Sequence, residues 1–188
     1  PNNVSAEVTG DQLTLTPAEN WNGTVNITVT VSDGELEDSE VFELTVNPVN
    51  DAPVLTDIGN QETAEDIPLT INLSASDIDV DDLEFSGTSS SPENVAAEVT
   101  GDQLTLTPTG DWYGSADVSV TVSDGFLTDS ETFTLTVYPV NDAPVLAEIG
   151  SQETSEDTPL TIMLSGSDID EDDLYFNATS DSPENVAA

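Results

Sequence analysis

The sequence contains no lysine, no arginine and no histidine. Its 188 residues include 39 aspartates and glutamates, which gives a formal net charge of −39 at pH 7. Nucleic acid is excluded as a partner because proteins bind its phosphates through lysine and arginine, and an anionic membrane surface is excluded on the same grounds. Self-repulsion of this size destabilises a compact state. The only internal salt bridge available is to the chain's own amino terminus, so the neutralising cations must come from solution.

Cysteine is also absent, and so is any apolar run long enough to cross a bilayer. The chain therefore has neither a disulfide framework nor a thiolate metal site, and direct membrane insertion is not expected. Any catalytic acid, base or nucleophile would have to be a carboxylate. Two carboxylates can support glycoside hydrolysis, but the candidate acids recur in turns, where metal binding accounts for them without a cleft. The sequence therefore predicts that the chain is not an enzyme.

The sequence repeats itself. The stretch VNDAPVL occurs at 49–55 and 140–146, and AEVTGDQLTLTP occurs at 6–17 and 97–108. Both pairs are separated by 91 residues, so one repeat unit is 91 residues long. This spacing predicts three parts, which together read as an excerpt from a longer array. They are the back half of a unit at 1–48, a complete unit at 49–139 and the front half of the next unit at 140–188.

Apolar residues alternate with polar ones along short stretches of the repeat. Val118, Val120 and Val122, for example, alternate with serine and threonine. This period of two predicts half-buried strands, and turn signals such as SPEN, TGDQ and SDG separate the runs. Six or seven such strands in about 90 residues predict an all-β fold of two packed sheets. Trp112, and Trp21 in the first segment, are predicted to close one end of a core.

Four acidic clusters differ from the other surface acids because they lie in turns and recur at the repeat period. One reading is that each is a solvated turn, but the recurrence of all four without any basic residue favours cation binding. The clusters are Asn50-Asp51 and Asn141-Asp142; Glu65-Asp66 and Glu156-Asp157; Asp77 to Asp82 and Asp168 to Asp173; and Asp33 and Asp124.

The Asp-x-Asp pattern suits a hard cation such as Ca²⁺. In an extended segment Asp77 and Asp79 point the same way, and calcium accepts six to eight oxygen ligands at loose geometry. An EF-hand loop does not fit. Counting from Asp77, its sixth position would be Asp82 rather than glycine, and its twelfth would be Thr88 rather than glutamate.

The order Glu-Asp, Asp-x-Asp, Trp-x-Gly, Ser-Asp-Gly and Val-Asn-Asp-Ala-Pro resembles the cadherin-like tandem repeats of bacterial surface adhesins, and more distantly cadherins. The likeness covers the whole chain. It implies Ig-like or cadherin-like β-sandwiches with Greek-key topology, outside a bacterial cell or on its surface. It also implies Ca²⁺ at each junction, bound by the preceding domain, the linker and the following domain. Pro53 and Pro144 would then stiffen the entry to the next domain.

The resemblance implies one ligand set for each junction. Pro48 and Pro139 replace the first linker acid of the cadherin pattern, so we expect one or two ions per junction. For the 140–143 junction the implied ligands are Glu65 or Asp66, Asp111, Asn141 through its carbonyl, Asp142, Asp168 and Asp170. For the 49–52 junction they are Asn20, Asn50, Asp51, Asp77, Asp79 and Asp124, while Asp33 would serve a junction whose linker lies outside these residues.

These observations predict a calcium-rigidified array that acts as an extracellular adhesive or filamentous stalk. Two alternatives stay open. The chain could be a subunit of a polymerising filament whose half-domains are completed between neighbouring copies. It could also be an array of carbohydrate-binding modules, which would need exposed aromatics grouped on one face, whereas Tyr113, Tyr138 and Tyr175 look scattered in the sequence. Neighbouring copies and cell-surface or polysaccharide ligands are the expected partners.

Overall fold

The computed structural model describes residues 3–181, and within them the chain forms strands but no helix. The first segment contains β1 (Val4–Thr9), β2 (Gln12–Pro17), β3 (Gly23–Ser32) and β4 (Glu37–Val46). The central segment contains β5 (Val54–Leu55), β6 (Gln61–Ala64), β7 (Leu69–Asn72), β8 (Ala75–Ser76), β9 (Glu84–Ser89), β10 (Val95–Thr100), β11 (Gln103–Pro108), β12 (Gly114–Ser123) and β13 (Thr128–Tyr138). The last segment contains β14 (Val145–Leu146) and β15 (Gly166–Ser167).

Two main sheets build the central segment. One has the strand order β6-β13-β12-β9, and the other has the order β10-β11-β7. The short strand β5 pairs with β8, whereas β6 joins the edge of the larger sheet by pairing in parallel with β13. All other pairs are antiparallel. The start of the unit is therefore divided between a separate two-stranded sheet and the edge of the four-stranded sheet.

The core of the central segment lies between these sheets. Strand alternation sends every second side chain inward, so Val118, Val120 and Val122 of β12 are all fully buried. They meet Leu104 and Leu106 of β11 in one apolar cluster. The prediction of an all-β sandwich is confirmed. The other buried members of the cluster are Leu55, Leu73, Val95, Ala116, Phe133, Leu135 and Val137.

The Trp-x-Gly motif has a packing reason. Trp112 packs against the apolar cluster, as predicted, and its ring lies over the backbone of Gly114. A Cβ atom added to Gly114 would lie only 3.0 Å from Cζ2 of Trp112. Gly114 also has a φ of 148°, a backbone conformation that residues with a side chain rarely adopt. Gly23 in the first segment meets the ring of Trp21 in the same way, at 3.2 Å. Glycine is needed two residues after each tryptophan so that the ring can cover the chain.

The flanking segments repeat parts of this sandwich. The β1–β2 and β3–β4 hairpins have the same registers as β10–β11 and β12–β13, displaced by 91 residues. In the last segment, β14 and β15 pair as β5 and β8 do.

The identical QLTLTP strands allow a matched test of core burial. We expect Leu106→Ala to lower the free energy of unfolding of the central unit by about 2–5 kcal/mol, because Leu106 is fully buried. Leu15→Ala, at the equivalent position of β2, should leave that unit's urea midpoint unchanged. Trp112 fluorescence in a Trp21→Phe background reports the central unit. Equal effects of the two substitutions would contradict a core confined to the central unit.

Candidate metal centres

The acidic clusters collect at the two opposite ends of the central sandwich. Strand β12 has ten residues, which at roughly 3.3 Å per residue spans about 30 Å. Gly114, at its start, follows Asp111 and lies near linker 140–143, whereas Ser123, at its end, precedes Asp124 and lies near linker 49–52. The long strands therefore hold two separate groups of carboxylates at the two inter-domain linkers.

Asp142 is the centre of the downstream group. Carboxylate oxygens of Glu65, Asp142 and Asp170 lie within 4.8 Å of one another, and so do those of Asp66, Asp111 and Asp142. Four carboxylates from the central unit and the last segment thus surround the linker residue Asp142. This is the combination of segments that the sequence predicted for the 140–143 junction.

Backbone hydrogen bonds hold this group in place. The amide of Asp142 donates to Oδ2 of Asp170 at 2.7 Å, and the amide of Val140 donates to Oε1 of Glu65. Glu65 is buried, and its own amide donates to the carbonyl of Tyr138 at 2.9 Å. These contacts connect the linker to the central unit on one side and to the last segment on the other.

Asp66 and Asp111 reach the linker from tight turns. Both adopt left-handed backbone conformations, with φ values of 63° and 58°. Aspartate and asparagine tolerate this region better than most residues, which fits the presence of Asn20 at the position equivalent to Asp111, with a φ of 57°. The turn thus constrains the residue to a short polar side chain, and only the second copy supplies a charge.

Asp168 lies behind Asp170 and orders its loop. Oδ1 of Asp168 accepts hydrogen bonds from the amides of Asp170 at 3.0 Å and Asp172 at 3.3 Å. Within residues 3–181 it belongs to none of the three close acidic groups. Asn141 donates from its side chain to the carbonyl of Asp142 at 3.0 Å. Both residues were predicted ligands, and the structure places them beside the group, in positions that orient the linker and the loop.

Burial and the neighbouring negative charges raise the pKa of Asp142. Burial contributes most, followed by the charges of Asp111, Asp170, Asp66 and Glu65. The folded state therefore binds more protons than the unfolded state, and the free energy of unfolding falls as the pH rises from the ordinary value of 3.8 through the raised pKa. Without a bound cation, ionised Asp142 opposes the ordered junction at neutral pH.

The upstream group is built on the Asp-x-Asp loop. Oxygens of Asp77, Asp79 and Asp81 lie within 4.8 Å of one another. The amide of Asp51 donates to Oδ2 of Asp79 at 2.8 Å, so the linker joins this loop as Asp142 joins Asp170. Oδ2 of Asp77 is buried and has no hydrogen-bond partner in the part of the chain that the structure describes. A buried carboxylate oxygen without a donor is what a metal ion would satisfy.

Asp81 was missed as a candidate ligand. The sequence contains the signal, because Asp81 is the third acid in the alternate series that begins with Asp77 and Asp79. Burial is the main cause that raises the pKa of Asp81. The negative charges of Asp77, Asp79, Asp124 and Asp82 raise it further.

Asn20 and Asp51 complete the upstream junction from the other side. Both line a cleft of about 210 Å³ that also includes Asp79. The first segment therefore approaches the linker through Asn20, as predicted, but it does so with an uncharged amide. Asp51 belongs to none of the close acidic groups among residues 3–181.

Asp124 serves the linker in another way. Its Oδ1 accepts hydrogen bonds from the amides of Phe126 at 2.7 Å and Leu127 at 2.6 Å, and its Oδ2 accepts one from Nδ2 of Asn50 at 2.8 Å. The backbone N–H of Leu127 and then the Asn50 side chain lower the pKa of Asp124. Asp124 closes the Ser-Asp-Gly turn and fastens Asn50 to it.

Asp33 closes the equivalent turn in the first segment. Its Oδ1 accepts from the amides of Glu35 at 2.9 Å and Leu36 at 2.8 Å, and the backbone N–H of Leu36 is the main cause of its lowered pKa. The Ser-Asp-Gly motif therefore has a structural role in both copies.

Family profiles match both the first and the central segments. Residues 50–136 match a bacterial Ig domain, and residues 2–47 match a cadherin-like domain. The chain belongs to the cadherin-like, bacterial Ig-like domains. The resemblance seen in the sequence motifs is confirmed. Domains of these families are typically extracellular, adhesion-type modules and are usually non-catalytic. The described residues contain no helix that could span a membrane.

Individual proteins show the same likeness. Chitinase A of Pseudoalteromonas piscicida is 31% identical over 147 residues, which covers 71% of this chain and 16% of that enzyme. The chain thus spans about a sixth of its length. Domains EC1-2 of human protocadherin-24 align with a TM-score of 0.51 and 14% identity, covering 73% of this chain and 78% of that one. An endo-fucoidan hydrolase of glycoside hydrolase family 107 aligns with a TM-score of 0.39 and 19% identity, covering 80% and 24%. The protocadherin similarity shows the fold.

The two carboxyl environments predict opposite titrations in the presence of a chelator. By carbon-detected NMR, the Asp124 carboxyl should titrate below the ordinary value of 3.8 and the Asp142 carboxyl above it. The contribution of Asp124 to stability is present above 3.8 and is lost as the pH falls through its depressed folded pKa. Asn50→Ala should raise the Asp124 midpoint and leave the Asp142 midpoint unchanged. Coincident or reversed midpoints would contradict these hydrogen-bond and charge assignments.

Proposed function

We propose that this chain is a calcium-binding part of an extracellular bacterial array, in which Ca²⁺ stiffens the junctions of an adhesive or filamentous stalk. The supporting observation is the group around Asp142. Carboxylates of the central unit, the linker and the following segment converge there without any positive side chain. A cation bound by Glu65, Asp142 and Asp170 would link the three segments and remove their mutual repulsion.

The ligand atoms favour calcium over other metals. The clusters offer only oxygen ligands, which hard cations prefer. Calcium accepts an irregular shell of six to eight oxygens, whereas magnesium requires near-octahedral geometry and keeps its waters. Glu65, Asp66, Asp111, Asp142 and Asp170 approach from several loops, an arrangement that suits the larger and more adaptable ion. The buried, unpartnered Oδ2 of Asp77 gives the upstream group an oxygen suited to the same role.

A mechanical role follows from where the ions would lie. Each proposed site includes the linker itself, so the metal would restrain the angle between successive units. The chain has no histidine, cysteine or lysine, and the proposed sites would use the recurring acids as junction ligands. Both points support a non-catalytic module. A stalk of this kind would hold other parts of a longer protein at a distance from the cell.

Calcium should raise the thermal midpoint of the chain relative to chelator at fixed ionic strength. Binding to the folded state alone adds about 2.7 kcal/mol per independent site at a hundredfold excess over Kd. Equimolar magnesium should have a much smaller effect. Asp142→Asn should remove binding at the downstream junction, measured as stoichiometry by calorimetry. Glu98→Gln, which makes the same charge change on the exposed face of β10, is the control. A midpoint that calcium does not move would rule out the proposal.

A carbohydrate-binding role is a second candidate, because one pair of aromatics is grouped after all. Gly114 and Val137 are paired on neighbouring strands. Tyr113 directly precedes Gly114 and Tyr138 directly follows Val137, and both tyrosines are exposed. The first segment has asparagines at the two equivalent positions, so the pair belongs to one unit. The similarity to a chitinase makes chitin the first polysaccharide to test.

If the chain binds carbohydrate, it should be retained on chitin beads. The double variant Tyr113→Ala/Tyr138→Ala should then be retained at least tenfold less than the parent. Tyr175→Ala is the control, because Tyr175 is exposed but belongs to the last segment and not to this strand pair. If the parent is not retained, or if the double variant and the Tyr175→Ala control are retained equally, the carbohydrate-binding candidate is eliminated. Neither result would affect the stalk proposal.

A further inference from the structure

We propose that Asn22 is a site of spontaneous deamidation, which converts a neutral side chain beside linker 49–52 into a carboxylate. The tryptophan motif of the first segment creates this site. The ring of Trp21 covers Gly23, and a Cβ atom added to Gly23 would lie 3.2 Å from Cζ2 of the ring. Gly23 also has a φ of 140°, which residues with a side chain rarely adopt. The packing of the tryptophan therefore requires a glycine directly after position 22, whatever residue that position holds.

A following glycine favours the deamidation of asparagine. In this reaction the backbone nitrogen of the next residue must approach the side-chain carbonyl carbon of the asparagine. A side chain on the next residue hinders that approach, whereas glycine has none and rotates most freely. Asn22 is the one asparagine of the sequence that a glycine follows. The central segment has Tyr113 at the equivalent position, so the central copy of the motif lacks the reactive pair.

The Asn22 side chain is accessible and unrestrained. It is exposed and lies just before β3. Tyr113 is 60% exposed, so this position is also accessible in the complete central unit. Among residues 3–181 the Asn22 carboxamide forms no hydrogen bond, whereas the carboxamides of Asn50 and Asn60 are both hydrogen-bonded. Contacts within the described chain therefore do not hold the Asn22 carboxamide away from the amide that follows it.

The reaction consumes only water. The backbone nitrogen of Gly23 attacks Cγ of Asn22, a new N–Cγ bond forms, and the Cγ–Nδ2 bond breaks as ammonia leaves with the proton of the Gly23 amide. Water then adds to one of the two carbonyl carbons of the resulting succinimide ring. Cleavage of the bond from the ring nitrogen to Cγ gives aspartate, and cleavage of its bond to the backbone carbonyl carbon gives isoaspartate. Nothing is oxidised or reduced, and each product carries one new negative charge.

The new charge would lie at the upstream junction. Asn22 lines the same cleft as Asn20, Asp51 and Asp79, and residues 3–48 contribute no acid to that cleft. Deamidation would therefore give the first segment a carboxylate beside those of the linker and the central unit. Without a cation it adds to the repulsion at linker 49–52, and with calcium it offers a further oxygen ligand. This consequence, unlike the deamidation itself, rests on the proposed calcium function.

Deamidation is measured on the folded chain in chelator. The protein is incubated at mildly alkaline pH, then denatured and cleaved with a glutamate-specific protease at acidic pH, where the reaction is slow. Cleavage after Glu19 and Glu35 releases one peptide that contains both Asn22 and Asn26. Fragment masses should show conversion at Asn22 at least tenfold faster than at Asn26, which is exposed on β3 but precedes a β-branched residue. Isoaspartate should accompany aspartate, because both bonds of the succinimide can open.

Asn22→Gln is the matched control. Glutamine keeps the amide and the net charge, but its side chain would have to close a larger ring, which forms far more slowly. This variant should lose the fast conversion at position 22 while Asn26 behaves as in the parent. Equal rates at Asn22 and Asn26 in the parent, or fast conversion that persists in Asn22→Gln, would overturn the inference.

The effect on the junction is measured with Asn22→Asp, which carries the new charge from the start. In chelator its thermal midpoint should lie below that of Asn22→Gln, because it adds a carboxylate beside Asp51 and Asp79. Calcium should raise its midpoint by more than it raises that of Asn22→Gln. Gln12→Glu makes the same charge change at the far end of β2 and should respond to calcium as the parent does. Equal calcium responses of Asn22→Asp and Asn22→Gln would show that the new carboxylate does not bind the cation.

Deamidation and calcium binding are read separately. Fast conversion of Asn22, with no calcium effect on the thermal midpoint of any variant, would support the modification and reject the metal sites. A calcium-raised midpoint in a parent whose Asn22 stays intact would do the reverse.

Discussion

Repulsion among carboxylates that have no positive partner is the constraint on which the junctions depend. Every ionised acid in this chain must be solvated by water, accept a hydrogen bond, or be neutralised by a cation from solution. The structure uses all three solutions. Glu98 faces solvent, Asp124 accepts hydrogen bonds on both oxygens, and Asp142 lies among four other carboxylates. Only the clustered carboxylates around Asp142 leave an electrostatic repulsion that opposes the folded arrangement. This cluster lies where two units meet.

The apolar alternation decides where this force acts. Because β12 and β13 are ten and eleven residues long, the loops at their ends are held far apart, and each linker meets its own set of acids. The core that these strands form among residues 3–181 is an apolar cluster. The packing of the sandwich core and the geometry of the junction therefore depend largely on different residues.

The sandwich itself could be predicted from the sequence, since alternation and turn residues determine strands locally. The meeting of Glu65, Asp111, Asp142 and Asp170 followed from a family resemblance, because these residues are up to 105 positions apart. Asp81 was missed although it continues the alternate acids of its loop. Asp124 was grouped with the ligands because no sequence pattern shows that both its oxygens are already engaged. A carboxylate's hydrogen-bond donors depend on the path of distant backbone, which composition and spacing do not record.

Because the repeat period is 91 residues, equivalent positions of the first and central segments can be compared within one chain. Asn20 and Asp111 occupy the same left-handed turn with nearly the same φ, so the turn is conserved in shape while its charge differs. At this turn the upstream junction accordingly lacks the carboxylate that Asp111 supplies downstream. Under the proposed calcium function, the turn at Asn20 would contribute less to cation binding at 49–52 than the turn at Asp111 does at 140–143. If calcium stiffens the junctions as proposed, single substitutions at turns would vary the stiffness of successive joints without altering a core residue.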